Sequence, residues 1–429
     1  MIIHVVQPGE NINTIAELYN IPADRLIREN GIINPNDLVV GQAIVVVQPE
    51  TVYTIMAGDT LDSIAEAHDI TVMELLRNNP FLSDREFIYP GETLVISYQT
   101  NKLGTVATSG YILPHIDQNV LRKTLPFLTY LSIYNYRITA EADVIASGDD
   151  TDLVRLAREY GVAPMLFATT FAEQGISGSE IAFRIINDPE LIDRLIDNLL
   201  QYLKSQNYYG INVYVEYVNL ENLDIVTSYV KKSADAFHAN GYRFLVTVTP
   251  EIHMNDQSLT IEEIDYSRIA EPADAIVFAS YEWGRTYSYP RSITPVNVTT
   301  ELLRYVTNLI PPEKIFIGLI PLGYDWSLPS IITSSANAIT MNNAIRLAAD
   351  NGAEIQFDES AQASYFYYLE AGTILHIIWF KDARSFAAIA ELVPEFGLQG
   401  LSIWTVMEFN EQLFLVLNTN YDIQKVPVS

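Results

Sequence analysis

The stretch Tyr209-Gly210-Ile211-Asn212-Val213-Tyr214-Val215-Glu216-Tyr217 decides the fold, because it has the pattern of a strand with two different faces. Successive side chains on a strand point to opposite sides, so Asn212, Tyr214 and Glu216 share one face. The other face carries the apolar residues Ile211, Val213 and Val215, which suit packing against a layer of helices. Three polar side chains on the face away from the helices, the last a carboxylate, indicate a functional site. The alternative is that Glu216 only pairs with a basic residue at the rim of the sheet.

From Leu103 onward, short β-rich runs alternate with helical patterns, which predicts a parallel sheet built from βα units. The predicted strands are residues 104–107, 127–134, 163–167, 210–215, 244–249, 275–279, 314–320 and 400–404. Eight such strands predict an α/β fold, the (β/α)₈ TIM barrel, with its chemistry at the carboxyl ends of the strands. The long interval before the last strand is rich in tyrosine and phenylalanine. It predicts a small α+β insertion subdomain at about residues 327–390, bordering the cleft.

The composition narrows the possible functions. The net charge is −28, from 53 acidic and 25 basic residues, which argues against nucleic acid as a partner but not against a neutral polysaccharide. There is no cysteine and the six histidines are scattered, so we expect neither a disulfide nor a metal site, and no cofactor. No stretch approaches the ~20 apolar residues of a membrane helix. The first residues lack the basic and apolar regions of a signal peptide, so we expect neither a membrane partner nor ordinary secretion.

The N-terminal region contains an internal repeat. His4-Val5-Val6-Gln7-Pro8-Gly9-Glu10 matches Tyr53-Thr54-Ile55-Met56-Ala57-Gly58-Asp59, and Asn30 matches Asn79 at the same spacing. Each copy has the pattern strand, helix, helix, strand. The sequence therefore predicts three units, at residues 2–48, 51–98 and 103–429.

The repeat resembles LysM, the module that binds N-acetylglucosamine-containing chains in peptidoglycan and chitin. The resemblance implies a shallow sugar groove between the turn after the first strand and the turn after the second helix. The residues at these turns are Gly9, Glu10, Asn11 and Asn30 in the first copy, and Gly58, Asp59, Thr60, Leu61, Asn79 and Pro80 in the second. The alternative is that these residues only form turns. Two weak sites on one chain would raise the effective concentration of the second for the same glycan.

The strand ending at Glu216 resembles the signature D-G-x-D-x-D-x-E of glycoside hydrolase family 18. Supporting motifs follow in the order of that family: Ala279-Ser280-Tyr281-Glu282-Trp283, Pro321-Leu322-Gly323-Tyr324-Asp325-Trp326, Trp379-Phe380-Lys381-Asp382 and Trp404. Together with the paired modules, the whole chain resembles the spore cortex-lytic N-acetylglucosaminidases of endospore-forming bacteria.

The resemblance implies a role for each motif residue. Glu216 would be the general acid/base of a retaining mechanism in which the acetamido group of the substrate is the nucleophile. Tyr281 and Glu282 would hold that acetamido group. The residues expected to bind the sugar chain are Asn212, Tyr214, Trp283, Tyr324, Asp325, Trp326, Trp379 and Trp404.

The signature departs from the family at each of its aspartates, where this chain has Tyr209, Asn212 and Tyr214. In the family, the aspartate two residues before the glutamate orients and polarises the acetamido group. A general acid contributes about 10²–10⁴ in rate, and the loss of the orienting carboxylate should cost a comparable factor. Without neighbouring carboxylates, only desolvation by aromatic side chains could keep Glu216 protonated.

These departures leave two main hypotheses open. The first is a glycosidase that acts on peptidoglycan of the spore cortex. The second is a catalytically impaired, lectin-like protein that binds the cortex or cell wall. A purely structural coat component is a third, which the four tryptophans at motif positions disfavour. In each case we expect a glycan partner and a place in the spore cortex or coat; the oligomeric state stays open.

Overall fold

The computed structural model describes residues 1–83, 85, 87–173, 175–215, 218–250, 252–255, 258–279, 290–329 and 336–428. For residues 252–255 and 258–260 the description covers the backbone alone.

Each N-terminal module is a βααβ unit, as predicted. The first comprises β1 (Ile2–Val5), α1 (Ile12–Tyr19), α2 (Ala23–Asn30) and β2 (Ala43–Val46), and the second β3 (Pro49–Thr54), α3 (Leu61–Ala67), α4 (Val72–Asn78) and β4 (Thr93–Tyr98). The two strands of each module pair antiparallel. Three of the four helices begin after Asn11, Thr60 and Thr71, whose side chains accept hydrogen bonds from the first-turn N–H groups. The helices cover their own sheet and give each module a small apolar core.

The remaining elements alternate between strands and helices. The strands are β5 (Gly104–Ile112), β6 (Tyr130–Ile138), β7 (Val144–Ala146), β8 (Ala163–Thr170), β9 (Gly210–Val215), β10 (Arg243–Val248), β11 (Ile252–Asn255), β12 (Ser258–Ile261), β13 (Ala275–Phe278), β14 (Ile315–Leu319), β15 (Leu322–Leu328), β16 (Asn337–Thr340), β17 (Gln356–Asp358), β18 (Ala363–Glu370), β19 (Ile374–Phe380), β20 (Gly400–Ile403) and β21 (Tyr421–Ile423). The helices are α5 (Gln118–Thr124), α6 (Thr151–Glu159), α7 (Gly178–Ile186), α8 (Pro189–Ser205), α9 (Leu223–Ala239), α10 (Ser267–Ala270), α11 (Val296–Val306), α12 (Met341–Asp350), α13 (Ala383–Phe396) and α14 (Glu411–Asn420).

A closed barrel of eight parallel strands forms the centre of the larger unit. The strand order is β5, β6, β8, β9, β10, β13, β14 and β20, and β20 pairs back to β5. Each predicted strand coincides with one of these eight, so the predicted (β/α)₈ barrel is confirmed. The outward residues Ile211 and Val213 of β9 are buried in the same apolar core as the inner faces of α8 and α9.

The interval between β14 and β20 folds as an α+β insertion, as predicted. Strands β15 to β19 form an antiparallel sheet in the order β16, β15, β19, β18 and β17, with α12 between β16 and β17. The predicted range 327–390 begins within β15 and ends within α13, because β15 follows the barrel strand β14 after only two residues.

The first module packs closely against the barrel unit. The Ile355 N–H donates to the Val40 carbonyl at 2.9 Å, and Gln412 Nε2 donates to the Ala43 carbonyl at 2.8 Å. A Cβ atom added to Gly41 would lie 1.9 Å from the Ile355 carbonyl oxygen. Only glycine therefore permits this approach.

The second module makes an equally specific contact. Arg77 of α4 is buried between this module and the barrel, and its guanidinium donates at 3.3 Å to both Asn418 Oδ1 and the Pro126 carbonyl. Residues of both modules, among them Val45 and Val95, belong to the same apolar core as the barrel helices. The modules and the barrel are thus one packed unit.

Replacing Gly41 with alanine tests whether this packing stabilises the protein. We expect Gly41→Ala to lower the free energy of unfolding by about 2 kcal/mol or more, since the new methyl group overlaps the Ile355 carbonyl. Gly9→Ala is the matched control, because Gly9 has the same φ of +88° but no atom within 4 Å of its added Cβ. Urea unfolding of both variants measures the difference. Equal losses would attribute the whole effect to backbone conformation and contradict a role for the contact with the barrel.

Candidate active site

The side chains that fill the barrel are arranged in three layers. The lowest layer is apolar apart from one hydroxyl and consists of Ala107, Tyr130, Ala163, Leu245, Ala275 and Phe316; Met165 and Val277 belong to the same apolar cluster but lie at the level of Ser132 and Thr247. Two residues further along the strands lies a ring of small, buried polar residues, Ser109, Ser132, Asn212, Thr247 and Ser402. Above it, at the carboxyl ends of the strands, are the aromatic residues Tyr111, Tyr134, Phe167, Tyr214 and Trp404, which we call the aromatic floor.

Asn212 lies at the centre of the polar ring and is fully buried. Its Nδ2 donates to the Tyr111 hydroxyl oxygen at 2.9 Å and to Ser132 Oγ at 3.3 Å. Its Oδ1 accepts a hydrogen bond from Thr247 Oγ1 at 2.8 Å. The expectation that Asn212 contacts the sugar is therefore corrected, because its amide is enclosed and bonded to barrel residues.

The aromatic floor surrounds the end of β9. The Trp404 ring centroid lies 5.0 Å from that of Tyr111, 5.9 Å from that of Tyr134 and 6.3 Å from that of Phe167. The sequence predicted Trp404 and Tyr214 at this site but not Tyr111, Tyr134 or Phe167. These three lie two positions after an inward-facing residue of their own strands, so the alternation used for β9 would have found them.

Tyr214 stands where the family signature has its last aspartate, and its side chain is half-buried. Its hydroxyl lies 2.9 Å from Thr249 Oγ1, and its ring centroid is 6.3 Å from that of Phe167. The hydroxyl can donate a hydrogen bond toward the cleft or accept one, but it carries no negative charge at neutral pH.

The inner face of the insertion sheet forms a wall beside the floor. Trp379 is half-buried, and its ring stacks on that of Tyr365 with centroids 4.6 Å apart. Tyr324 and Trp326 point to the same side, but Tyr324 is buried and Trp326 is only 1% exposed. Trp326 is therefore a core residue of the insertion and not the predicted cleft residue, because Tyr324 and Ile377 enclose it.

Asp325 points to the opposite side of the same sheet. It accepts hydrogen bonds from the Tyr368 hydroxyl and from His376 Nδ1, each at 2.8 Å. Burial, and then this hydrogen bond, raise the pKa of Tyr368. Asp325 is thus a structural residue of the insertion, which corrects its predicted contact with substrate. Its place between Tyr324 and Trp326 in the strand already required the opposite orientation.

The family model of the glycosyl hydrolases family 18 matches residues 175–408, and that of the LysM domain matches residues 4–47 and 53–97. The chain belongs to glycosyl hydrolases family 18. The cortical fragment-lytic enzyme of Bacillus subtilis (strain 168) is 31% identical over 99% of this chain and 99% of its own length. The spore cortex-lytic enzymes SleL of Bacillus megaterium QM B1551 and Bacillus cereus have crystal structures with TM-scores of 0.80 and 0.79 to this chain. They are 28% and 27% identical to it, and each match covers 99% of both chains.

In the two LysM modules, the asparagines expected to bind sugar are instead buried. Asn30 Nδ2 donates to the Leu26 and Val45 carbonyls, and its Oδ1 accepts from the Val45 N–H at 2.6 Å. Asn79 repeats these bonds with Leu75 and Val95. Both asparagines join a helix to the last strand of their module, so their amides are not available to a glycan.

The predicted turn residues of the modules lie at the surface but also have structural roles. Glu10 accepts hydrogen bonds from the Gln7 N–H and from His4, each at 2.8 Å, and the bond from Gln7 is the main cause of the lowered pKa of Glu10. Asp59 accepts the equivalent bonds from the Met56 N–H and from Tyr53. Of the others, Gly9 and Gly58 have positive φ, Asn11 and Thr60 are helix caps, Leu61 opens α3, and Pro80 begins a short 3₁₀ turn.

Exposed apolar side chains were missed in the second LysM module. Met56, Phe87 and Tyr89 are each more than half exposed. They lie on adjacent segments, since the Gly91 N–H donates to the Ile55 carbonyl at 2.8 Å. Met56 is in the turn after the first strand, and the other two follow the second helix. Met56 and Tyr89 therefore lie beside the turn after the first strand, which is one border of the groove that the LysM resemblance implies.

Outside the described residues lie the predicted catalytic residues Glu216, Tyr281 and Glu282, and the predicted sugar-binding residue Trp283. Among the described residues there is no cluster of three or more potential metal ligands. Within the same ranges, every helix is too short or too polar to cross a membrane.

Lys381 lies two residues after Trp379 of the wall and is fully buried. Its Nζ donates to the Thr294 carbonyl at 3.1 Å. Burial lowers the pKa of Lys381 to about 7, and the nearby Asp382 only partly opposes this effect. The family 18 barrel therefore encloses an ammonium group beside its wall that loses its charge near neutral pH.

The pKa of Lys381 makes stability depend on pH in a definite direction. In the unfolded chain a lysine has a pKa of about 10.4, so between pH 7 and 10 the unfolded state binds more protons at this site. Stability therefore rises with pH across this window. We expect the free energy of unfolding of Lys381→Met, relative to that of wild type, to fall by about 1.4 kcal/mol per pH unit. Urea unfolding between pH 7.5 and 9.5 measures this difference.

Lys314→Met is the control for Lys381→Met, since Lys314 also donates to backbone carbonyls but is only half-buried. A pH dependence unchanged by Lys381→Met would contradict the enclosed position of the ammonium group.

Proposed function

We propose that the chain is a glycosidase that cleaves peptidoglycan of the spore cortex after N-acetylglucosamine. The observation that carries the proposal is the aromatic floor with Trp404 beside the wall formed by Trp379 and Tyr365, in a family 18 barrel with two LysM modules. The cortical fragment-lytic enzyme of Bacillus subtilis matches this organisation over nearly its whole length, which supports the same substrate and an endospore-related location.

The proposed reaction uses the acetamido group of the substrate as nucleophile. Its carbonyl oxygen attacks the anomeric carbon from below while the glycosidic C–O bond breaks. Glu216 donates its proton to the departing oxygen. A water molecule then attacks the anomeric carbon, gives a proton back to Glu216 and displaces the acetamido oxygen. Configuration is retained because the anomeric carbon is attacked twice.

The residues of the floor would hold the reacting sugar. Trp404 is half-buried, and the apolar face of a pyranose can pack on the part of its ring that stays exposed. Tyr214 would donate its hydroxyl proton to the acetamido group in place of the family aspartate, with Tyr281 and Glu282 as further contacts. A neutral hydroxyl stabilises a developing positive charge less than a carboxylate does, so the proposed enzyme is slow.

A second candidate function is that of a lectin-like cortex-binding protein. The replacement of the signature aspartates by Asn212 and Tyr214 favours it. Asn212 is fully buried within the polar ring, so its side chain cannot reach the acetamido group of a substrate in place of the missing aspartate.

Digestion of purified cortex fragments separates these two functions. We expect wild type to release products with N-acetylglucosamine at the reducing end and Glu216→Gln to lose about 10²–10⁴ in rate, read by mass spectrometry. Glu221→Gln is the control, because Glu221 is an exposed glutamate five residues away. If wild type and both variants retain the fragments but release no products, the glycosidase function is contradicted and the lectin-like function is supported.

The LysM modules are proposed to bind the same glycan through exposed apolar side chains. We expect Tyr89→Ser to weaken retention on isolated cortex by about 3- to 10-fold, since a packed aromatic ring contributes about 0.5–1.5 kcal/mol. Val52→Ser is the control, because Val52 is comparably exposed on β3 of the same module. Equal loss by both variants would contradict a specific role for Tyr89.

A further inference from the structure

Phe171 is an exposed aromatic residue directly after β8, at the carboxyl end of the third barrel strand. It is 44% exposed. Its ring stacks on that of Tyr134, with centroids 5.8 Å apart and planes inclined by 14°. The ring is thus held in a fixed orientation although much of it faces solvent.

Tyr134 connects Phe171 to the aromatic floor. Its ring centroid lies 5.3 Å from that of Phe167 and 5.9 Å from that of Trp404. Trp404, Tyr134 and Phe171 therefore form a row that runs from the floor toward the rim. We call these three residues the aromatic row.

A row of this kind has the chemistry of a carbohydrate-binding surface. Pyranose rings present C–H groups on their faces, and these pack favourably on the electron-rich faces of aromatic rings. A residue that served only the core would be covered, whereas Phe171 combines exposure with a pre-set ring orientation, which reduces the entropy lost on binding.

We propose that Phe171 forms a distal subsite that packs against a sugar of the glycan at least two units away from the sugar on Trp404, because two successive ring contacts separate Phe171 from Trp404. This proposal rests on the proposed function for the identity of the glycan. Its consequence is a preference for chains longer than a disaccharide, since a short chain that occupies Trp404 does not reach the end of the row.

The tryptophans allow this subsite to be measured separately from the LysM modules. All four, Trp283, Trp326, Trp379 and Trp404, belong to the barrel unit, and neither module contains one. A saturable change in intrinsic fluorescence therefore reports glycan bound in the barrel. The probes are the disaccharide and the tetrasaccharide of β-1,4-linked N-acetylglucosamine, titrated into proteins with Glu216→Gln to suppress turnover.

We expect Phe171→Ala to weaken tetrasaccharide binding by about 3- to 10-fold and to leave disaccharide binding unchanged. Phe171→Tyr should restore tetrasaccharide binding, because it keeps the ring. Phe183→Ala is the control, since Phe183 is 56% exposed but lies on α7 in the outer helix layer. Thermal unfolding of each variant checks that the fold is intact.

Two results would overturn the proposal. One is an equal loss for both probes, which would mean that Phe171 only supports Tyr134 and the floor. The other is unchanged tetrasaccharide binding in Phe171→Ala. The outcome is independent of catalysis: if cortex digestion shows no hydrolysis while the titration shows the Phe171 effect, the proposed function fails and the subsite stands.

Discussion

The buried amide of Asn212 ties the polar ring of the barrel to its aromatic floor. A polar group at this depth costs about 1–3 kcal/mol if left unpaired, so each of its hydrogen-bonding atoms requires a partner. Tyr111 and Thr247 provide two of these partners and also lie 3.1 Å from each other through their hydroxyl oxygens. Because Tyr111 belongs to the floor, the bond that satisfies Asn212 also fixes a ring next to Trp404. An ionised aspartate at this position would lose more solvation energy on burial than a neutral amide does, and it could only accept hydrogen bonds, whereas the amide of Asn212 both donates and accepts them.

This constraint explains why the departures from the family signature occur together. A barrel interior that holds Asn212 through hydroxyl groups has no buried charge in this ring, and the next inward residue, Tyr214, continues the same chemistry through Thr249. The aspartates of the family signature, but not its glutamate, are thus replaced by neutral side chains, which are Tyr209, Asn212 and Tyr214. The proposed substrate-assisted cleavage would depend more on positioning by aromatic packing and less on charge, which favours binding over rate.

Strand alternation predicted the barrel well, since every barrel strand has clear apolar positions facing the helices. The sequence predicted the site less well, because several residues were assigned from their place in a motif without regard to the direction in which their side chains point. Asp325 and Trp326 were assigned to the cleft from their place in a motif, although neighbours in a strand face opposite sides. Asn30 and Asn79 were assigned to a sugar groove from their place in the LysM pattern. Their amides instead join a helix to the last strand, a contact between residues 15 or 16 positions apart that local pattern does not show.

Local sequence pattern also does not predict the specific contacts between the modules and the barrel. These contacts affect how a module can present a glycan to the barrel. A module on a flexible linker raises the effective concentration of glycan over a volume set by the linker length. Here the close approach at Gly41 and the buried guanidinium of Arg77 hold both modules in place. A glycan bound by a module would then reach the barrel at a fixed position and angle. The LysM site and the barrel site could therefore bind the same glycan only if the shape of the glycan matches the spacing between them. Glycans of matching shape would be aligned with the barrel site by the module, whereas glycans of a different shape would bind to only one of the two sites.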